Sequence, residues 1–334
     1  MKRLILAGLA AFTLATTPVH AGEIKELHFG LIATESSSGL SKTFQPLIDD
    51  LQKALGIPVK AYFAQDYAGV IEGMRFKKVD IAWFGNKSAM EAVDRAGGEV
   101  FAQTSKPDGT KGYYSLLVAN KSRSDINGLK DVLDCSKGWN FANGDVNSTS
   151  GYLVPGYYVF AMHNVTPTEC YKRVVNGNHE SNALAVANGQ VDFATTNSEM
   201  MERLEQNRPQ DLAKIKEVWR SPLIPNDPMV WRSDLPADMQ AKIYAFFIGY
   251  GRLGSAEEVK HARDVLAHTS DGWGVFEPSS NAQLYPIRQL ELFKNKVQIQ
   301  NSDKVSADDK KAQVAKIDAE LAEIDKLQNS VPNM

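Results

Sequence analysis

Ser148, Thr149 and Ser150 stand together in the run Asp145-Val-Asn-Ser148-Thr149-Ser150-Gly151, just ahead of an apolar segment with helical spacing. The first N–H groups of a helix have no partner within it and point outward. The helix dipole adds partial positive charge at that end, and three hydroxyls add neutral donors. Such a turn can hold a doubly charged tetrahedral oxyanion without a lysine. A helix N-cap also draws Ser, Thr or Asn, but one cap uses one such residue. Three in a row favour the anion site.

Other residues could complete that site. Asn176-Gly-Asn-His179-Glu-Ser181 sets His179 at a helix start behind a glycine turn, where an imidazole can donate to an anion. Tyr67 and Tyr113 also lie at turns, and phenols are neutral donors suited to a phosphoryl oxygen. Glu199 follows a strand ending at Asn197, and Asp227 is held between Asn226 and Pro228. Taken singly, these are a cap-adjacent histidine, two packed aromatics, a solvated first-turn acid and a turn residue. Taken together, two carboxylates facing an anion site would recognise a zwitterion bearing an amino group. No Gly-x-Ser-x-Gly elbow, Walker loop or His-Glu-x-x-His motif occurs in the sequence, and no cofactor is expected.

Alternating strands and helices must position these residues. Leu27–Ala33, Val59–Ala64 and Val79–Phe84 read as strands. Leu40, Phe44, Leu47, Ile48, Leu51 and Leu55 line one face of an intervening helix that Gly56 ends, and Asp66-Tyr67 opens another through Phe76. This β-α-β-α-β order predicts a mostly parallel sheet covered on both faces. A second unit follows, with strands at Tyr114–Ala119, Trp139–Asn143, Val191–Thr195 and Ile215–Trp219. Its helices are Ser181–Asn188 and one carrying Leu153, Tyr157, Phe160 and Ala161. Val79-Asp-Ile-Ala before Asn86 echoes Val191-Asp-Phe-Ala before Asn197, a weak internal repeat. It falls at the strand ends where open α/β sheets bind ligands. Ser221-Pro-Leu-Ile-Pro-Asn-Asp-Pro228 is rigid and suits a crossing between lobes. The expected organisation is one lobe from 22–114 plus 223–302, a second from 115–222, and a helix over 303–334. That helix carries Val314, Ile317, Leu321 and Ile324 in a narrow coiled-coil-like stripe, which its own lobe or a partner helix in a homodimer would cover.

Residues 1–21 have the basic start, apolar core and Val19-His-Ala21 site of a secretory signal, which places the mature chain in the periplasm. The formal charge is −3, and cleavage would also remove Lys2 and Arg3. That acidity argues against a nucleic-acid or anionic-lipid partner. An exported chain permits a Cys135–Cys170 disulfide, against the alternative of two free buried thiols. Two cysteines without a His-x-x-x-His helix argue against zinc.

Long runs carry a family resemblance. Phe63-Ala-Gln-Asp-Tyr67-Ala-Gly, Val79-Asp-Ile-Ala-Trp-Phe-Gly-Asn86 through Arg95, Asn143 through Gly151, Leu153-Val-Pro-Gly-Tyr-Tyr-Val-Phe160, Ser221 through Pro228 and Pro286-Ile-Arg-Gln-Leu290 closely resemble the phosphonate-binding periplasmic proteins of bacterial ABC import systems. The resemblance implies an α/β, two-lobed periplasmic binding protein of type II, a Venus-flytrap whose lobes close over ligand. It implies that Ser148, Thr149, Ser150, Tyr67, Tyr113 and His179 grip a phosphonate. Glu199 and Asp227 would receive the ammonium of 2-aminoethylphosphonate, and an inner-membrane ABC permease would take the ligand. Two departures from the pattern stand out. Phe84 replaces a tyrosine, with loss of a cleft-edge hydroxyl, and the cysteine pair is not a known family feature. Phosphite or phosphate binding is the nearest alternative. A periplasmic phosphoesterase would need a metal cluster or an activated nucleophile, and a sensory partner of a signalling receptor stays open. For the disulfide, mass spectra before and after reduction should differ by two hydrogens; identical masses would mean free thiols.

Overall fold

The computed structural model describes residues 24–330, so the expected leader lies outside the described residues. The strands, in chain order, are β1 (Leu27–Leu31), β2 (Val59–Phe63), β3 (Ile81–Trp83), β4 (Gly98–Gln103), β5 (Gly112–Tyr113), β6 (Ser115–Asn120), β7 (Asn140–Gly144), β8 (Arg173–Gly177), β9 (Phe193–Asn197), β10 (Ile215–Arg220), β11 (Ile224–Pro225), β12 (Pro228–Arg232) and β13 (Glu277–Pro278). They form a six-stranded sheet, β13-β4-β12-β3-β1-β2, and a five-stranded sheet, β10-β6-β9-β7-β8. Each sheet is the centre of a lobe.

Neither sheet is mostly parallel, contrary to the expectation from β-α-β order. In the first, β1 runs parallel to β2 and β3, while β12 pairs antiparallel with β3 and β4. The chain returns from the second sheet and inserts β12 between strands laid down much earlier. In the second, β7 runs parallel to β8 and β9, and β6 antiparallel to β9 and β10.

The internal echo has a structural counterpart. Asp80 precedes β3, donates its N–H to the His28 carbonyl and accepts the His28 N–H on its carboxylate at 2.7 Å. Asp192 precedes β9 and does the same with Asn140, accepting its N–H at 2.6 Å. Arginines neutralise both carboxylates, Arg232 on Asp80 and Arg123 on Asp192. Each aspartate therefore pins the start of one parallel strand pair.

Apolar periodicity builds the first core. Helix α1 (Ser37–Leu55) buries Leu40, Phe44, Leu47, Ile48, Leu51 and Leu55, with Ser36 as N-cap and Gly56 in the left-handed conformation as C-cap. Phe84 is fully buried in this core. It is no cleft-edge position, so the phenylalanine costs the cleft no hydroxyl. The segment after Ser148 departs from the expected α-helix. Two π-helical turns, Thr149–Leu153 and Gly156–Phe160, flank Pro155. Proline has no N–H for the ordinary i−4 bond. In the first turn the Leu153 and Val154 N–H groups reach to Ser148 and Thr149, five residues back.

Two segments join the lobes, one between β4 and β6 and one between β10 and β12. The second is the proline-bounded stretch. They pair with each other as β5 and β11, Gly112 against Pro225 and Tyr113 against Ile224. A Cβ on Gly112 would lie 1.9 Å from the Ile224 carbonyl, so only glycine permits this approach. The helix Tyr285–Asn301 runs behind the crossing, with Leu290 against Tyr113, Val154 and Ile224. The terminal helix Ala307–Ser330 packs on it, burying Ile317 and Leu321 within the same chain. Cys135 and Cys170 are joined in a disulfide.

Gly144 closes β7 against the turn that follows. A Cβ there would meet Gly151 backbone atoms at 2.5 Å, which cannot swing aside as a side chain can. Gly144→Ala should therefore lower unfolding free energy by about 1–3 kcal/mol in urea titrations. Gly128→Ala, with nothing within 4 Å of the new methyl, should cost far less. Equal losses would refute the close-packing account.

Candidate functional site

Every strand of the two parallel sets ends at one cavity between the lobes. After β1 come Ile32 and Thr34, after β2 Tyr67, and at the end of β3 Trp83 and Gly85. After β7 come Ser148, Thr149 and Ser150, after β8 His179, and from β9 Asn197 and Glu199. Tyr113 and Asp227 enter from the crossing segments. Thr34, Met200, Arg203 and Ser270 complete the wall. The structure thus brings all eight residues singled out from the sequence to one cavity.

One end is rich in neutral donors. Ser148 caps the π-helical turn, its Oγ accepting the Gly151 N–H at 3.0 Å. The Thr149 hydroxyl accepts the Lys87 N–H at 2.8 Å, which ties the turn to the start of the helix Asn86–Arg95 on the other lobe. His179 opens the helix His179–Ala187, capped by Asn178. Its Nε2 lies 3.3 Å from Ser148 Oγ and 3.4 Å from Ser150 Oγ. Burial pushes its imidazole down to about 4, so it is neutral at neutral pH and offers a donor without a charge. The Tyr67 phenol is held well above its usual range, first by burial and then by nearby carboxylates, so it remains a donor. Tyr67 N–H binds Asp145 Oδ2 at 3.1 Å, another bond between lobes.

The other end is acidic. Asp227 accepts the Trp83 Nε1–H and the Tyr113 O–H, each at 3.0 Å. Tyr113, expected beside the anion, thus spends its proton on the carboxylate. Burial, and then the Glu199 charge, push Asp227 well above the usual carboxylate range, against the pull of those two donors. Burial likewise pushes Glu199 up to about 7, with Lys106 and Arg203 nearby opposing it. Among the described residues neither acid forms an ion pair, so two titratable carboxyls share one end of the cavity.

Three contributors escaped the sequence reasoning. Trp83 is the last residue of a buried strand and looked like core, though its indole N–H supplies half the bonding of Asp227. Asn197 was noticed only as a strand end. It caps the helix Ser198–Asn207 through Oδ1, and its Nδ2 lies 3.4 Å from both Ser150 Oγ and Glu199 Oε2, bridging the two ends. Arg203 sits one turn beyond Glu199, carries no motif that marks it in the sequence, and is buried.

The raised Glu199 value fixes a sign. The group binds its proton more tightly in the folded chain, at about 7, than at the ordinary 4.5. Its contribution to stability is complete below 4.5 and is lost as pH rises through 7. Glu199→Gln, studied without ligand, should gain stability on the order of 1–3 kcal/mol at pH 8 and nothing near pH 4. A gain of equal size at both pH values would contradict the assignment.

The comparisons with known proteins agree with this geometry. The family described as ABC transporter, phosphonate, periplasmic substrate-binding protein matches residues 29–284. The chain is 49% identical to the phosphonates-binding periplasmic protein of Escherichia coli K12, over 100% of this chain and 98% of that one. It is 30% identical to a phosphate-import protein of Mycolicibacterium smegmatis, over 78% of this chain and 83% of that one. The crystal structure of a binding protein component of an ABC phosphonate transporter from Pseudomonas aeruginosa matches with a TM-score of 0.87 at 51% identity, covering 92% of this chain and 99% of that one. Extensive similarity in sequence and structure places the chain in the family of periplasmic phosphonate-binding proteins of ABC transporters.

Proposed function

We propose that this chain captures aminoalkylphosphonates, with 2-aminoethylphosphonate the preferred member, and presents them to an ABC permease without chemical change. The observation that carries this reading is the division of the cavity. Hydroxyls and a neutral imidazole occupy one end, and two acids that form no ion pair among the described residues, Asp227 buried and Glu199 half-buried, occupy the other. A phosphonate dianion suits the first end. A ligand ammonium suits the second, where it would complete both carboxylates. Phosphate, which the Mycolicibacterium relative is named for importing, offers the acids nothing.

In this reading Ser148, Thr149, Ser150, Tyr67 and His179 hold the phosphonate oxygens. Each hydrogen bond to the charged group is worth roughly 1.5–3 kcal/mol. Glu199 and Asp227 take the ammonium, while Tyr113 and Trp83 hold Asp227 in place. The lobes, 22–114 with 223–302 against 115–222, move about the paired crossing segments. Contacts made to both lobes at once favour closure, and that differential affinity drives the motion. Residues 1–21 would direct export and be removed.

A calorimetric panel of phosphate, phosphite, methylphosphonate and 2-aminoethylphosphonate tests this. The aminoethyl compound should bind most tightly. Asp227→Asn should lose most of its preference for aminoethyl- over methylphosphonate. Ser148→Ala and His179→Ala should weaken both phosphonates together. An aminoethyl/methyl ratio untouched by Asp227→Asn would refute the ammonium assignment. Phosphate binding tighter than any phosphonate would refute the ligand class.

A further inference from the structure

The helix Ser198–Asn207 does more than present Glu199. One turn further on, Arg203 reaches across the cleft and pairs through Nη2 with Glu35, which follows β1 on the opposite lobe. Arg203 is 6% exposed and Glu35 7%, so the pair is buried although it joins two bodies that must separate. Arg203 Nη1 and Thr34 Oγ1 are also buried, with no hydrogen-bond partner.

The location of this pair gives it a second consequence. Arg203, Met200 and Thr34 line the cavity. Arg203, Met200 and Glu35 also line an outer groove that continues past Lys42, Glu180 and Arg208. The Glu35–Arg203 pair is therefore the wall between cavity and groove. Arg203 stands one helical turn from Glu199 and its charge acts on that acid, while the residues on either side of Glu35 bond Glu180 next to His179. A second pair between the lobes, Lys106 with Glu202 at 3.1 Å, contributes no residue to the cavity wall.

We propose that the Glu35–Arg203 pair is a specificity wall that forms on closure and limits the length of the phosphonate substituent. The proposal rests on the aminoalkylphosphonate reading. An ammonium two carbons from phosphorus ends at Glu199 and Asp227. A longer chain must pass between Glu35 and Arg203 and leave two buried charges unpaired, which low-polarity surroundings penalise heavily. The wall thus rejects length by ion-pair separation, whereas Lys106–Glu202 joins the lobes without lining the cavity.

Calorimetry with 2-aminoethyl- and 4-aminobutylphosphonate tests this on the whole protein. The wild type should bind the longer ligand roughly a hundredfold more weakly. Glu35→Ala combined with Arg203→Ala opens the wall and should shrink that gap to about tenfold or less, while weakening the short ligand. Glu202→Gln should weaken both ligands equally and keep the gap. Should the double alanine chain fail to fold, Glu35→Gln releases Arg203 without removing volume and should still narrow the gap. A gap unchanged in folded wall variants, or a wild type indifferent to length, overturns the wall alone. A wild type that binds no phosphonate overturns the functional reading and the wall together.

Discussion

Two carboxylates drawn into one cavity repel each other and lose part of their hydration, and both effects work against folding unless a proton or a cation joins them. Glu199 and Asp227 are in that position, and much of the surrounding structure answers to it. Trp83 and Tyr113 donate to Asp227 from two different elements. Asn197 lies beside Glu199 from the end of its own strand. Lys106 and Arg203 oppose the Glu199 shift without forming ion pairs with it. The acids are thus partly solvated by fixed dipoles, and the chain keeps a standing demand for one positive charge. The opposite end of the cavity is built on the contrary principle, with dipoles and hydroxyls and no resident charge.

This contrast explains why two lobes are needed. Each parallel strand set delivers its loops at its carboxyl ends, and a single set would give a shallow, half-hydrated cradle. Facing two sets toward each other surrounds the ligand and removes water, which strengthens every polar contact inside. Bonds such as Lys87 N–H to Thr149 Oγ1 and Tyr67 N–H to Asp145 use the same segments that line the cavity. Contacts between the lobes and the cavity wall therefore draw on the same segments.

Much of this was legible in the sequence where local chemistry and periodicity agree. The α1 stripe from Leu40 to Leu55, the cap residues Asp66 and Ser148 and the glycine turn before His179 each point to one local structure. The illegible parts depend on distant partners. β12 acquires its place only by inserting between β3 and β4, so the mixed sheet was hidden. Two π-helical turns, with Pro155 between them, replace the expected α-helix. Trp83 and Arg203 have side chains that suit a core and a solvated face equally well, and only the fold turns them to the cavity. Phe84 erred the other way, because the family resemblance implied a cleft edge while the packing put it in the core.

The hydrogen bond between Tyr113 and Asp227 joins the two chain crossings themselves. Points on a rotation axis hardly translate when bodies swing about it. An acceptor carried there keeps its geometry through the swing, whereas groups far from the axis, such as Glu35 and Arg203, travel on long lever arms. The protein therefore has a fixed element at the pivot and assembled elements at the rim. Charge presented at the pivot bears on how often an encounter succeeds, and contacts gathered at the rim bear on how long the ligand stays.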